Sequence, residues 1–180
     1  MKLLKILLFL SAFSMGQDCP DEMFGQYCTT DLDVLQSFLD LNDCIDVDEP
    51  LLLGEQEWED GRLVHFELEG SDHEHGTNDC DGYENGENVN FLTNIPEEIG
   101  NLSELRYLKF DDTGIDSVPE SLCELYNLTS LALKYSELAS LPDCIGDLSS
   151  LTSLDFMSNE LTSLPESIGN LSNLTGLDVY

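Results

Sequence analysis

Residues 151–174 read LTSLDFMSNELTSLPESIGNLSNL and hold one full copy of a unit that recurs along the C-terminal half of the chain. Pro96, Pro119, Pro142 and Pro165 fall at a constant spacing of 23. Around each proline the same frame returns: Leu-x-x-Leu-x-apolar, a short turn, an apolar-x-x-apolar step, then Pro-x-x-(Ile/Leu)-x-x-Leu. A fixed period of roughly 20–29 residues in this frame predicts stacked strand-and-turn units, a solenoid. Such a scaffold chooses its partner through exposed positions, so the repeat speaks first to architecture and only by projection to function.

The frame dictates the shape. In Leu105-x-x-Leu108-x-Phe110, Leu128-x-x-Leu131-x-Leu133, Leu151-x-x-Leu154-x-Phe156 and Leu174-x-x-Leu177-x-Val179, the last two apolar residues alternate with others. Period two marks a half-buried strand, and stacked copies make a parallel sheet with its apolar residues inward. After the strand comes Asn159 in one copy, Thr113 and Ser136 in two others. An inward Asn bonds the backbone of neighbouring turns; Thr and Ser do so only in part. Ile115/Val118, Leu138/Leu141 and Leu161/Leu164 fill the core on the way round. Each proline then opens a short convex segment from which Ile99, Leu122, Ile145 and Ile168 point inward. Proline fits there because the start of a turn or short helix needs no donor.

The segments LPESIGNLSNLTGLDV and LTSLDFMSNELTSLPESIGNL resemble leucine-rich repeats of the class with a 23-residue period and an LPxxIGxL convex side, over residues 94–180. The resemblance implies an α/β solenoid: a right-handed leucine-rich repeat horseshoe with a parallel concave β-sheet and short helical or 3-10 convex segments. It also implies a role in binding proteins or, less often, peptides and glycans.

From the N-terminus, residues 1–16, MKLLKILLFLSAFSMG, carry two lysines, an apolar run and then small residues. This is the pattern of a secretory signal peptide, cut after Gly16. The apolar run is too short to span a bilayer, and no other stretch could span one. Cleavage removes Lys2 and Lys5 and takes the formal charge from −31 to −33. So acidic a surface repels nucleic acid and anionic lipid, which excludes both as partners.

Residues 17–61 form a separate acidic, cysteine-containing segment outside the 23-residue frame. Apolar residues at 32, 35, 38 and 39 predict a short amphipathic helix with acids in its first turn. Trp58 follows, then a strand over 63–68 with the repeat's own pattern. The order resembles the N-terminal cap of plant-type extracellular leucine-rich repeat proteins, although the cysteine spacing differs and the Trp-x-Gly-Val-x-Cys step is absent. Only the capping role is therefore carried over; an open end would expose core leucines. Residues 62–180 are then the repeats, about five strands with the last repeat incomplete.

From Leu63 to Pro96 is 33 residues, against 14 from Leu151 to Pro165. The 19-residue excess is an insertion, placed at 72–90, rich in Asp, Glu, Asn and Gly, and expected to be a projecting loop. Asp79, Asp81, Glu84 and Glu87 supply hard oxygen for a calcium site there, but at no EF-hand spacing, and a solvated acidic loop is the simpler explanation. His73 and His75, with Asp72 or Asp79, would suit a transition metal; two surface histidines explain them as well.

Six cysteines follow the leader: Cys19, Cys28, Cys44, Cys80, Cys123 and Cys144. Export favours disulfides. The first four allow three connectivities, of which Cys19–Cys28 with Cys44–Cys80 is preferred because it tethers the insertion to the cap. Cys123 and Cys144 lie on neighbouring turns two residues out of register, near the ~7 Å Cα limit, and are expected to be free and packed. There is no CxxC redox or zinc pattern and no defensible Cys/His nucleophile pair, so the expected chain is non-catalytic and needs no cofactor.

Projection supplies the candidate surface. Residues between the inward ones face the concave side. The rows read His65, Tyr107, Ser130, Ser153, Gly176; then Glu67, Lys109, Ala132, Asp155, Asp178; then Glu69, Asp111, Lys134, Met157, Tyr180. Arg106, Lys109 and Lys134 gather on two adjacent strands with Tyr107 and Tyr135 among them. Together with Asp111, Asp155 and Met157 they make the candidate partner-binding site, since aromatics and Arg anchor interfaces. The plainer alternative is that these cations only neutralise Asp111, Asp112 and Glu137. Asn101, Asn127, Asn170 and Asn173 stand in N-glycosylation sequons, although Asn-Leu-Ser/Thr is also how the repeat is spelled.

The expectation is thus a secreted or cell-surface module that binds a protein or peptide partner. The alternatives are the ectodomain of a receptor-like signalling protein such as a receptor kinase, or calcium-dependent adhesion through the insertion. Tyr180 falls inside a strand and leaves Leu174, Leu177 and Val179 uncovered. The expectation is that the chain is a fragment of something longer, or that this edge self-associates.

Overall fold

The computed structural model describes residues 23–42, 50–69 and 92–180. A two-residue hairpin, β1 (Met23–Phe24) with β2 (Tyr27–Cys28), leads into helix α1 (Thr29–Leu41). Strand β3 (Glu55–Glu59) pairs antiparallel with β4 (Arg62–Glu69). Then come β5 (Tyr107–Asp111), β6 (Ser130–Ala132), β7 (Ser153–Asp155) and β8 (Gly176–Asp178), all parallel to β4 in one sheet of order β3-β4-β5-β6-β7-β8. Short 3-10 turns at Glu97–Asn101, Glu120–Glu124, Asp143–Asp147 and Glu166–Asn170 each begin just after a proline and form the opposite side. The architecture is the expected open α/β solenoid.

The register is the period made visible. Tyr107, Ser130, Ser153 and Gly176 are directly paired along the stack, each 23 positions after the last. His65 pairs Tyr107 at an offset of 42, so the first repeat carries 19 residues more than the others. The insertion placed at 72–90, its calcium and histidine residues, and the leader all lie outside the described residues.

One continuous core runs inside the turns. Phe66, Phe110 and Phe156 are wholly buried beneath the sheet, with Ile99, Leu122 and Ile145 inward from the 3-10 turns. Phe38 of α1 closes the first end, meeting Phe66 and Phe110 edge-on at centroid distances of 5.3 and 5.4 Å. Asn159 bonds as its type predicts: Nδ2 donates to Leu133 O and Phe156 O, while Oδ1 accepts from Leu138 N. Thr113 and Ser136 instead share one buried hydroxyl contact of 2.8 Å.

Three features differ from the sequence reading. Of the stripe at 32, 35, 38 and 39, the helix buries Leu35 and Phe38 and packs Leu39 partly against the core, but it also buries Asp31 and Val34, Asp31 having a partner inside. Arg62 donates to both Asp31 oxygens, and Leu63 N donates to Asp31 Oδ2 at 2.7 Å, so the carboxylate is satisfied with no exposure. Strand β3 was not expected: Glu55-Gln-Glu-Trp-Glu59 carries no apolar alternation beyond Trp58, which packs against the core and Tyr27.

The third difference is a correction. Cys123 and Cys144 are not free; they form a disulfide with Cα atoms 5.9 Å apart. Turns of the solenoid stack at the ~4.8 Å strand spacing, and two residues of 3-10 turn advance the chain by only ~4 Å. The combined offset stays inside the bonding range. Cys28 is also disulfide-bonded, while Cys19, Cys44 and Cys80 lie outside the described residues.

Candidate binding face of the sheet

The outward side chains of β4 to β8 form the first two rows projected from the repeat, because alternate residues of a strand face opposite sides and the pairing holds one register; the third row starts at Glu69 and Asp111 and continues at Lys134, Met157 and Tyr180, just past β6, β7 and β8. The first row opens with an aromatic stack. His65 and Tyr107 lie face to face, with centroids 4.2 Å apart and planes 10° from parallel. Burial is the main cause that pushes the Tyr107 hydroxyl above its ordinary value, with Glu67 adding to it. The row continues with Ser130, Ser153 and Gly176, so the tall stack gives way to a low floor.

The second and third rows hold a charge ladder. Lys109 lies against Glu67, Glu69 and Asp111; Lys134 lies 3.0 Å from Asp111 and 4.0 Å from Asp155. Burial pulls the Lys109 ammonium down, but hydrogen bonds to Glu67 and Glu69 outweigh it and the net direction is up. A hydrogen bond to Asp111 is the largest cause raising Lys134. The Lys109 hydrogen bond likewise lowers Glu69. Asp111 also accepts from Lys134 N at 3.0 Å and so ties β5 to the next turn. Arg106 reaches sideways to Glu59 on β3 at 2.8 Å.

The eight candidate residues therefore separate. Tyr107, Lys109, Asp111, Lys134, Asp155 and Met157 occupy the rows of one face. Arg106 is committed to the antiparallel edge strand. Tyr135 sits just past β6 with φ 52°, at the repeat position where Asp112 and Ser158 also have positive φ. It is 52% exposed there, in a backbone region a bulky residue rarely adopts. The cations are engaged: every one of the three has carboxylate partners, although of the acids the neutralising alternative named only Asp111 is among them, the others being Glu59, Glu67, Glu69 and Asp155.

The sequon asparagines do structural work on the far side. Asn127 Nδ2 donates to Ser103 O and Asn173 Nδ2 to Ser149 O, both at 2.8 Å, one turn back along the stack. Asn101 and Asn170, at a different position of the repeat, lie exposed in 3-10 turns. Among the described residues there is no group of three His, Cys, Asp or Glu side chains placed to hold a metal, and no helix is long and apolar enough to cross a membrane.

Sequence reasoning missed two parts of this face. The Arg106–Glu59 pair depends on β3, which leaves no sequence period. The His65–Tyr107 stack was legible as a row but not as a ring contact.

No family model matches the chain, and no curated protein matches it. Solved structures do. A leucine-rich repeat protein of Leptospira interrogans is similar at 29% identity and TM-score 0.51, over 65% of this chain and 31% of that one. The leucine-rich repeat ectodomain of the receptor kinase SOBIR1 from Arabidopsis thaliana is similar at 23% identity and TM-score 0.61, over 86% of this chain and 80% of that one. A plant ice-binding protein is similar at 22% identity and TM-score 0.60, over 86% of this chain and 48% of that one. The chain thus spans about a third of the Leptospira structure and about half of the ice-binding one.

Proposed function

The chain is a leucine-rich repeat protein, and from that premise we propose that it is a secreted or cell-surface module that recognises a protein or peptide through its concave sheet. The observation that carries this reading is the in-register outward face of β4 to β8, a rigid platform on which side chains 23 residues apart become neighbours. Rigidity lowers the ordering cost of binding. The Cys123–Cys144 disulfide supports an oxidising compartment, in line with the leader read at residues 1–16. The reading is of a binding protein, not an enzyme.

A selection tests it. A displayed random-peptide library is panned on the immobilised chain, and binders are re-measured on Tyr107→Ala/Lys134→Glu. The reading expects binders whose affinity drops on this variant and holds on a convex control, Asp143→Asn/Asp147→Asn. Binders indifferent to the concave variant would place recognition elsewhere.

The receptor-like ectodomain is the second reading. It is favoured by the chain's spanning 80% of the SOBIR1 ectodomain at a TM-score of 0.61. Intact mass of the native protein with C-terminal peptide mapping tests it: peptides continuing the 23-residue frame beyond Tyr180 are expected, and a mass ending at Tyr180 would exclude it.

A further inference from the structure

We infer that the exported chain carries N-linked glycans at Asn101 and Asn170, on the convex side, and not at the other two sequons, Asn127 and Asn173. This rests on the secreted reading above, because the acceptor Asn-x-Ser/Thr is used only along the secretory route. The fold accounts for two of the four sequons and leaves the other two unexplained.

At Asn127 and Asn173 both ends of the sequon are in structural use. Asn127 Nδ2 donates to Ser103 O and Asn173 Nδ2 to Ser149 O, both at 2.8 Å. Thr129 Oγ1 donates to Arg106 O at 2.8 Å, and Thr175 Oγ1 to Thr152 O at 3.0 Å. Thr152 makes the same bond to Thr129 O with Ser150, not Asn, two residues before it. Here Asn-Leu-Thr is the repeat's own spelling. A sugar on either nitrogen would replace one of the two hydrogens of an amide that ties turn to turn, and set bulk at the joint.

Asn101 and Asn170 end their 3-10 turns, and neither side chain has a hydrogen bond among the described residues. A buried leucine follows each, Leu102 and Leu171, and Ser103 N and Ser172 N donate back to the asparagine carbonyls at 2.8 Å. The backbone is held there while the amide stays exposed. Exposure belongs to the position in the frame, since Glu124 and Asp147 occupy it in the two middle repeats and are exposed as well. The fold therefore does not require Asn: Asp147-Leu-Ser149 keeps the serine without it. What Asn101 and Asn170 supply, and Glu124 and Asp147 cannot, is a nitrogen. In the transfer, the bond from sugar C1 to the diphosphate of a lipid-linked oligosaccharide breaks, and a C1–Nδ2 bond forms. Nδ2 gives up one proton and the lipid diphosphate leaves. Glycans so placed cover the back of the solenoid and leave the sheet open.

The test expresses the full chain with its own leader in a eukaryotic secretory host. Protein from the medium is treated with peptide N-glycosidase in heavy-oxygen water, which marks each formerly glycosylated Asn as labelled Asp, and is then mapped. Label at Asn101 and Asn170, with unmodified Asn127 and Asn173, is the expected result; Asn101→Gln/Asn170→Gln should lose the whole glycosidase-sensitive mobility shift. Secreted protein without label at Asn101 and Asn170 would overturn the inference, and so would equal labelling of all four. Failure to reach the medium would overturn the leader reading alone; residues 17–180 behind a heterologous leader then give the same map with the same deciding outcomes. Asn127→Ala/Asn173→Ala should keep the full mobility shift and melt below wild type. An unchanged melting temperature would overturn the turn-to-turn ties as the ground for separating the two pairs.

Discussion

Asp31 and Arg62 join helix α1 to the first long strand, β4, through a buried pair, with side-chain exposures of 0% and 8%. Removing Asp31 takes the carboxylate away from a buried guanidinium and the acceptor away from Leu63 N. Asp31→Ala should therefore cost about 3–5 kcal/mol in chemical denaturation, while Asp31→Leu/Arg62→Met should recover most of that loss. Glu69 gives a pH-dependent counterpart. Its lowered pKa comes first from the Lys109 hydrogen bond. A depressed carboxylate contributes stability above its ordinary value of 4.5 and loses it as pH falls through the lowered one. Carboxyl-carbon NMR should show Glu69 titrating below 4.5, and Lys109→Met should move the midpoint back up; an unmoved midpoint would remove Lys109 as the cause. At this scale the sequence was unevenly legible. Asn159 could be foreseen because its role follows from its residue type at one position of the frame. The partner of Asp31 could not, because an acid in a helix's first turn reads as a solvated companion of the dipole, and Arg62 stands 31 residues away.

Among the elements, the disulfide between adjacent 3-10 turns has the clearest consequence. It closes a sequence separation of 21. Loop-closure entropy assigns such a link about 3 kcal/mol, so Cys123→Ser/Cys144→Ser should lower stability by roughly that amount in an otherwise oxidised chain. Peptide mapping under non-reducing conditions checks the pairing itself: a Cys123–Cys144 linked peptide is expected, and either cysteine alkylated before reduction would contradict it. The sequence hid this bond because a register argument on paper treats turns as strands, whereas a 3-10 path is compact. It showed the long-range pairing of β4 to β8 well, since a period of 23 converts directly into a register. It hid β3, a strand held by antiparallel pairing to β4 and not by its own alternation.

On the scale of the whole molecule, a rigid stack converts a repeating sequence into two unlike surfaces. The convex side is occupied by structure: prolines, 3-10 turns, and the Asn127 and Asn173 ties from turn to turn. The concave side carries rows whose side chains serve no inward packing role, with Lys109 and Lys134 set among the carboxylates of Glu67, Glu69, Asp111 and Asp155. The most direct measurement of the central claim is hydroxyl-radical footprinting of the chain alone and with a selected peptide. Tyr126, 61% exposed beyond the second convex turn, is the internal control. The account predicts lower oxidation of Tyr107 and Met157 in the complex, with Tyr126 unchanged. Protection of Tyr126 with Tyr107 and Met157 unaffected would contradict recognition through the sheet.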